Sequence, residues 1–252
     1  MTVDTKTGPS VRARIASVGP MPLLAALVAV DLALVVTSVV RLVTAGPDDG
    51  DPWLLETDRG VAEFAGYAQQ AALVVLLLAL CRLTGHLVWV AYALVFLGAL
   101  ADDYLRLHES KGAWLAEQLS QDLWFPADGF LGLRANDLGE MIVWGLLGVV
   151  PILAAILLHR RSDGWNRRAS LGMAALLGAY VFFGAVLDQV HVLFLGSWLG
   201  DVVGTLEDGG ELLVLSASVG YVVGRLLAAG RHRTPQLPES TPVPEAVMAP
   251  GR

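Results

Sequence analysis

Six apolar stretches of about 20 residues dominate this sequence, and each is long enough to cross a lipid bilayer as a helix. Only 16% of the 252 residues are charged, whereas soluble domains carry about 25%. Because six helices and their loops use nearly the whole chain, the sequence predicts an all-α fold, a polytopic transmembrane helix bundle of six spans. The stretches cover residues 20–44, 61–81, 86–105, 138–158, 170–191 and 205–229.

The polar sequence lies mainly at the two ends of the chain. Residues 20–229 are predicted to form one six-helix transmembrane domain. Residues 1–19 are polar and mixed, and residues 230–252 are rich in proline without an apolar period. Neither segment can bury enough apolar surface to fold, so both are predicted to be disordered and cytoplasmic.

The distribution of basic residues predicts the orientation of the bundle. With the amino terminus inside, 12 of the 17 lysine and arginine residues fall on cytoplasmic segments. Four of them lie in HRRSDGWNRR, between the fourth and fifth spans. Cytoplasmic loops carry such an excess of positive charge. We therefore expect a multi-pass protein of the inner (plasma) membrane, with both termini in the cytoplasm.

Acidic residues show the opposite asymmetry, since 19 of 24 lie on the predicted outer half. Acids contribute little to orientation, so this bias needs its own explanation. Ionisable groups near bilayer depth are costly and are tolerated where they face the bundle interior or water. They cluster at the outer ends of spans two to six: Glu63; Asp102, Asp103, Arg106, His108 and Glu109; Asp137 and Glu140; Asp188 and His191; Glu207, Asp208 and Glu211.

The spacing of these groups predicts that they converge on one site. Asp188 and His191 are three residues apart, and Glu207 and Glu211 are four apart, so each pair shares a helix face. Carboxylates alone would repel one another, and a set of Asp, Glu and His ligands suits zinc, iron or manganese. The predicted cofactor is therefore a divalent transition metal. Its predicted ligands are His108, Asp188, His191 and Glu207, and the predicted catalytic residues are Asp102, Glu109, Glu140 and Glu211.

Other interpretations of the same pattern remain open. Acids at helix ends are often only solvated, and those at amino termini also benefit from the helix dipole. The protein could be an enzyme acting on a lipid or another amphiphile, a transporter or cation-binding protein, or a non-catalytic membrane partner. Membrane lipids are the expected partners. With a net charge of −7, the chain gives no indication of nucleic-acid binding.

A row of small residues on the sixth span adds a prediction about packing. Ser216, Gly220 and Gly224 recur every fourth residue, which brings them to one helix face. Such a face favours close helix packing, either within the bundle or between subunits of a homo-oligomer.

Four segments, DDYLRLHE, NDLGE, LDQVH and LEDGGE, carry a resemblance that extends over roughly residues 61–225. Here the chain resembles an uncharacterised group of bacterial six-span integral membrane proteins with comparable Asp-Asp…His-Glu, Asp-x-x-His and Glu-Asp-Gly-Gly-Glu segments. The resemblance implies a shared fold and a shared site, and it implies no particular activity.

Overall fold

A computed structural model describes residues 19–46, 50–121, 125–126 and 128–233. These residues form seven helices, six of which are long and apolar enough to cross a membrane, as the sequence predicted. The predicted disordered ends lie almost wholly outside the described residues. The helices are α1 (Met21–Ala45), α2 (Val61–Thr84), α3 (Val88–Leu105), α4 (Leu107–Leu119), α5 (Ala135–Arg161), α6 (Gly164–Val192) and α7 (Trp198–Arg233).

The helices extend beyond the apolar stretches because their polar ends have local partners. Helix α6 begins at Gly164 rather than at residue 170, since the Asp163 carboxylate accepts a hydrogen bond from the backbone N–H of Asn166 at 2.8 Å. Helix α7 begins at Trp198 and ends at Arg233, which corrects the predicted limits of 205 and 229. Predicting spans from apolar stretches misses such helix ends, because they are polar and extend past the hydrocarbon region of the membrane.

The core of the bundle lies where α2, α3, α6 and α7 pack together. One buried cluster includes Leu73 and Leu77 of α2, Trp89 and Phe96 of α3, and Met173 of α6, and all five are fully buried. Helix α5 packs along α3, while α6 packs along α7. Helix α6 approaches α3 and α5 only sparsely, and this spacing leaves a groove between the three helices.

Helix α1 is one of the two least enclosed spans. Its only buried residues within the described chain are Asp31 and Ser38, and both are polar. It packs on α7, where Gly220 and Gly224 lie against Leu24 and Pro20. The small-residue face of the last span therefore packs within the bundle.

The chain reverses between α3 and α4 at Arg106, whose backbone is left-handed with φ of 53°. Helix α4 then packs against the start of α5, where the backbones of Gly112 and Gly139 meet so closely that a Cβ on either would overlap the other helix. This packing fixes His108 and Glu109 beside the ends of α2, α3, α6 and α7. We call this end of the bundle the acidic end, and the opposite end, with the α5–α6 connection, the arginine-rich end.

Candidate functional site

A cavity of about 320 Å³ lies at the acidic end, and we call it the acidic cavity. Arg106 is its one permanent cation among the described residues, and His108 and His191 also face it. Because so many carboxylates surround a small volume, the cavity has a strongly negative field. The carboxylates that line it are those of Glu56, Asp58, Glu63, Asp103, Glu109, Asp188, Glu207, Asp208 and Glu211.

Arg106 neutralises the rim of this cavity. Its guanidinium donates to both carboxylate oxygens of Glu109, at 2.9 and 2.6 Å, and lies 2.9 Å from Asp58. Hydrogen bonding to Glu109 raises the pKa of Arg106 above its ordinary value. Arg106 is half exposed, and its guanidinium is engaged by the two carboxylates at the rim.

A buried Asp–His pair lies beside the acidic cavity. Asp102, only 4% exposed, accepts a hydrogen bond from the backbone N–H of His108 at 2.8 Å, and its other oxygen lies 3.0 Å from His108 Nδ1. The indole N–H of Trp144 donates to the same oxygen at 3.0 Å. Burial opposes the charged imidazole, but the hydrogen bond to Asp102 and the surrounding carboxylates raise the pKa of His108 above its ordinary value. Asp102 therefore fixes the orientation of the imidazole and favours its protonated form.

A second buried group, Gln70, connects α2 to this pair. Its side-chain amide donates to Asp103 at 2.7 Å and to the Tyr180 hydroxyl at 2.7 Å. Gln70 lines the acidic cavity and is 2% exposed, and its carbonyl oxygen accepts no hydrogen bond from any residue that the structure describes. A buried carbonyl oxygen without a donor is uncommon in folded proteins, so Gln70 offers a further ligand atom to whatever binds there.

The donor atoms of Asp102, Asp103 and His108 lie within 4.8 Å of one another, close enough to share a metal ion. Histidines that bind metals usually donate their other ring N–H to a carboxylate. The bond from His108 Nδ1 to Asp102 has that form and leaves Nε2, which lies 3.9 Å from Glu109.

Close backbone contacts bring α6 and α7 together on the far side of the cavity. His191 Nδ1 lies 3.2 Å from a Glu207 carboxylate oxygen. A Cβ at Gly204 would overlap Glu56 and His191, and a Cβ at Gly184 would overlap the carboxylate of Glu211. Gly184 belongs to a π-helical segment, Phe182–Leu187, immediately before Asp188, and π-helical turns are frequent at functional sites.

A second, larger cavity of about 650 Å³ runs between α3, α5 and α6, and we call it the apolar groove. Its walls are mainly aliphatic, with glycines on three of the helices. It adjoins the acidic cavity, because five residues line both spaces. The residues common to both linings are Asp103, His108, Asp188, Glu207 and Glu211.

The structure brings together most of the residues chosen from the sequence. Asp102 lines the apolar groove rather than the acidic cavity. Glu140 lines neither cavity, and its side chain packs beside Gly112. The nearby Asp137 forms an ion pair with Arg134, with 2.7 Å between Asp137 Oδ1 and Arg134 Nη2. The remaining six all line the acidic cavity: Glu109, Glu211, His108, Asp188, His191 and Glu207.

Sequence reasoning did not select Glu56, Gln70 or Tyr180 for the site. Glu56 lies in a connection without helical periodicity. Gln70 has the pattern of an interhelical hydrogen-bonding residue, and Tyr180 has the pattern of a core aromatic. A polar residue within an apolar span is a signal that could have identified Gln70. The chain matches no protein-family model, no curated protein and no solved structure.

Proposed function

We propose that this protein is a membrane-embedded enzyme that performs acid–base chemistry on a lipid or another amphiphile. One observation carries the proposal: the buried Asp102–His108 pair lies where the acidic cavity meets the apolar groove. A polar reaction centre beside an apolar chain-sized space is the arrangement that an amphiphilic substrate requires. The site shared with the resembling bacterial proteins would then be this junction.

His108 is the general base of this proposal. Asp102 holds Nδ1, so Nε2 is the nitrogen that accepts a proton from water or from a substrate hydroxyl. The oxygen that loses this proton forms the new bond to the substrate, and a neutral carboxyl group in the cavity protonates the group whose bond to the substrate breaks. Proton transfer from the imidazolium to the resulting carboxylate completes the cycle. Histidine suits this task because its charge changes near physiological pH.

A divalent transition ion, zinc, iron or manganese, belongs to the same proposal. Carboxylates this close together cannot all ionise without a counter-cation, and Arg106 is already engaged at the rim. The donors are of the types that such ions take. Asp103 and the Gln70 carbonyl oxygen support a site on one side of the cavity, whereas His108, predicted as a ligand from the sequence, keeps its Nε2 for proton transfer. Asp188, His191 and Glu207 were predicted as ligands from the sequence, and they line the same space.

The proposed orientation places the acidic end outside the plasma membrane and both termini in the cytoplasm, since the arginine-rich end carries the basic excess. Single cysteines in a Cys81→Ala background test it. Lys111→Cys at the acidic end should react with an impermeant maleimide on intact cells, and Arg161→Cys at the other end should not. Both positions are exposed on the protein surface. The reverse labelling pattern would contradict the orientation.

The enzymatic proposal is tested by following a total polar lipid extract by mass spectrometry. The protein is incubated with the extract in nanodiscs, and one lipid class should decline while a product appears. His108→Ala should abolish the change, and Asp102→Asn, which keeps the base but not its charged partner, should slow it. His86→Ala is the matched control, because His86 lies 2.9 Å from Asp163 at the arginine-rich end, outside the site.

Two results would contradict the enzymatic proposal. If wild type and His108→Ala leave the same lipids, the protein has no such activity on them. If His86→Ala is as impaired as His108→Ala, the effect is a general loss of structure. Wild-type protein that binds metal but changes no lipid would instead favour a cation-binding or transport function.

A further inference from the structure

The shape of the apolar groove indicates how a substrate reaches the site. Gly98 of α3, Gly145 and Gly148 of α5, and Gly184 of α6 line it, and their missing side chains widen the space between the helices. Leu153, on the same wall, is about half exposed. The groove therefore lies between membrane-spanning helices, and its α5 wall reaches the surface of the bundle.

The volume of the groove and its position beside the acidic cavity fit one molecule that has a hydrocarbon chain and a polar head group. Its 650 Å³ falls within the range of sites that bury a small-molecule ligand, roughly 300–1,000 Å³. The aliphatic walls match a hydrocarbon chain, and the polar end of the groove adjoins the acidic cavity. A chain in the groove would place its head group beside His108 and Asp188, which line both spaces.

The charge of the acidic cavity selects the head group. Nine carboxyl groups line it against Arg106, whose guanidinium binds Glu109 and Asp58. Carboxyl groups this close together keep part of their protons, and a bound cation favours their ionised forms. An anionic phosphate would meet like charges and would find no unengaged arginine in the described lining, whereas an ammonium group would be attracted.

An aromatic side chain at the junction favours the same head group. The Trp144 indole lies with its ring centre 5.1 Å from that of His108 and lines the apolar groove where the groove meets the carboxylates. Aromatic faces attract organic cations, and the effect increases where water is excluded. Trp144 is therefore placed to contact a cationic head group and the first part of its chain.

We propose that the substrate is a long-chain amine, whose ammonium head group lies in the acidic cavity and whose hydrocarbon chain lies in the groove between α3, α5 and α6. This inference rests on the proposed function, because it names the substrate class of the same site. Access is lateral, from the bilayer, between α5 and α6.

The test compares two probes that differ only in their head group. Hexadecylamine and hexadecyl phosphate, each with the same photoreactive diazirine in the chain, are presented to the full-length protein in nanodiscs. After irradiation, peptide mass spectrometry locates and quantifies the label. The amine should label the helices that line the groove, and excess unlabelled hexadecylamine should displace it. Equal labelling by the phosphate would overturn the assignment of the head group.

Gly145→Leu tests whether the chain occupies the groove. Among the described atoms, none lies within 4 Å of the position that a Cβ would take at Gly145, so a leucine fits without a clash and fills the groove. Labelling should fall by about tenfold or more, because a leucine excludes several methylene groups and each one contributes about fourfold to affinity. Gly178→Leu is the matched control, since Gly178 is an equally open helical glycine outside the groove lining.

A second variant, Gly98→Leu, has the same open surroundings on the opposite wall and replaces Gly145→Leu if that protein is not monodisperse. Undiminished labelling in the correctly folded variant would overturn the proposal. Labelling needs no turnover, so the two proposals fail separately. Specific amine labelling without lipid turnover would refute the enzyme and keep the binding site, whereas turnover of a lipid class without amine labelling would refute the substrate class alone.

Discussion

Asp31 lies in the middle of α1 and is completely buried, although most of that helix faces outward. Its carboxylate accepts hydrogen bonds from Gln69 of α2 at 2.9 Å and from Ser216 of α7 at 2.5 Å. Ser38, the other buried residue of α1, accepts a bond from the backbone N–H of Leu55 at 3.0 Å. Polar contacts therefore account for much of what holds α1 to the bundle.

Asp31→Ala removes both interhelical bonds that the carboxylate makes. Such bonds contribute about 0.6 kcal/mol each on average in membrane proteins, and up to about 1.7. The free energy of unfolding should therefore fall by about 1–3 kcal/mol. Gln69 retains a bond to Ser216 at 3.2 Å, which limits the loss. SDS-induced unfolding in bicelles measures the difference in unfolding free energy between wild type and Asp31→Ala. The control is Val30→Ala, because Val30 is an exposed neighbour on the same helix.

A double-mutant cycle of Asp31→Ala with Ser216→Ala measures the interaction free energy between the two side chains. A value of about 0.5–2 kcal/mol is expected for residues in one hydrogen-bond network. If Asp31→Ala unfolds like Val30→Ala, or if the coupling is zero, the attachment of α1 through polar contacts is wrong. A more stable Asp31→Ala protein would show that the carboxylate is retained at a cost, which would favour a role in ion movement.

Three further predictions concern the site. Because the pKa of His108 is raised, its protonated form stabilises the fold below its ordinary pKa, and this contribution is lost as pH rises through the raised value. Turnover needs the neutral base, so the rate should rise through that same pKa, and Asp102→Asn should move the rise to lower pH in a pH–rate profile. Gly184→Ala should displace the Glu211 carboxylate and lower turnover by about tenfold or more in the lipid assay; an unchanged rate would remove that carboxylate from the chemistry. His191→Ala should lose metal in elemental analysis, with affinity weakened by at least about 10–100-fold, whereas equal metal in both proteins would exclude His191 as a ligand.

The spans were predictable because the hydrophobic content of each one is a local property. The end of α7 was not, since its last turn carries basic residues that an apolar window rejects. The site was predictable in part. His191 and Glu207 lie on adjoining helices at one depth, and the positive-inside pattern already implied that they share an end of the bundle. The depth of a residue can be inferred from sequence, but its rotation about the helix axis depends on packing.

That dependence on packing explains what the sequence could not predict. Glu140 lies at the expected depth, but the close contact between Gly112 and Gly139 turns α5 so that its side chain packs against α4. Glu56 faces the cavity because its neighbour Leu55 is bonded to Ser38, and because Gly204 leaves room for it. The apolar groove is a space between three helices, and no single segment carries a signal for it.

The metal ion and the amine head group are both attracted by the carboxyl groups of the acidic cavity, so their binding should be coupled. Nine carboxylates can attract both cations, but each one that binds reduces the field that the other experiences and repels it at short range. Coupling between two ligands is reciprocal: whatever factor the metal imposes on amine affinity, the amine imposes on metal affinity. We therefore expect hexadecylamine to weaken zinc binding and zinc to weaken amine labelling by the same factor, and both effects should diminish in a Glu207→Gln protein. Factors near one in both directions would mean that one of the two cations binds outside the acidic cavity. Enhanced amine labelling with metal would mean that the metal contacts the amine nitrogen itself, which would make it an unprotonated ligand rather than a second cation.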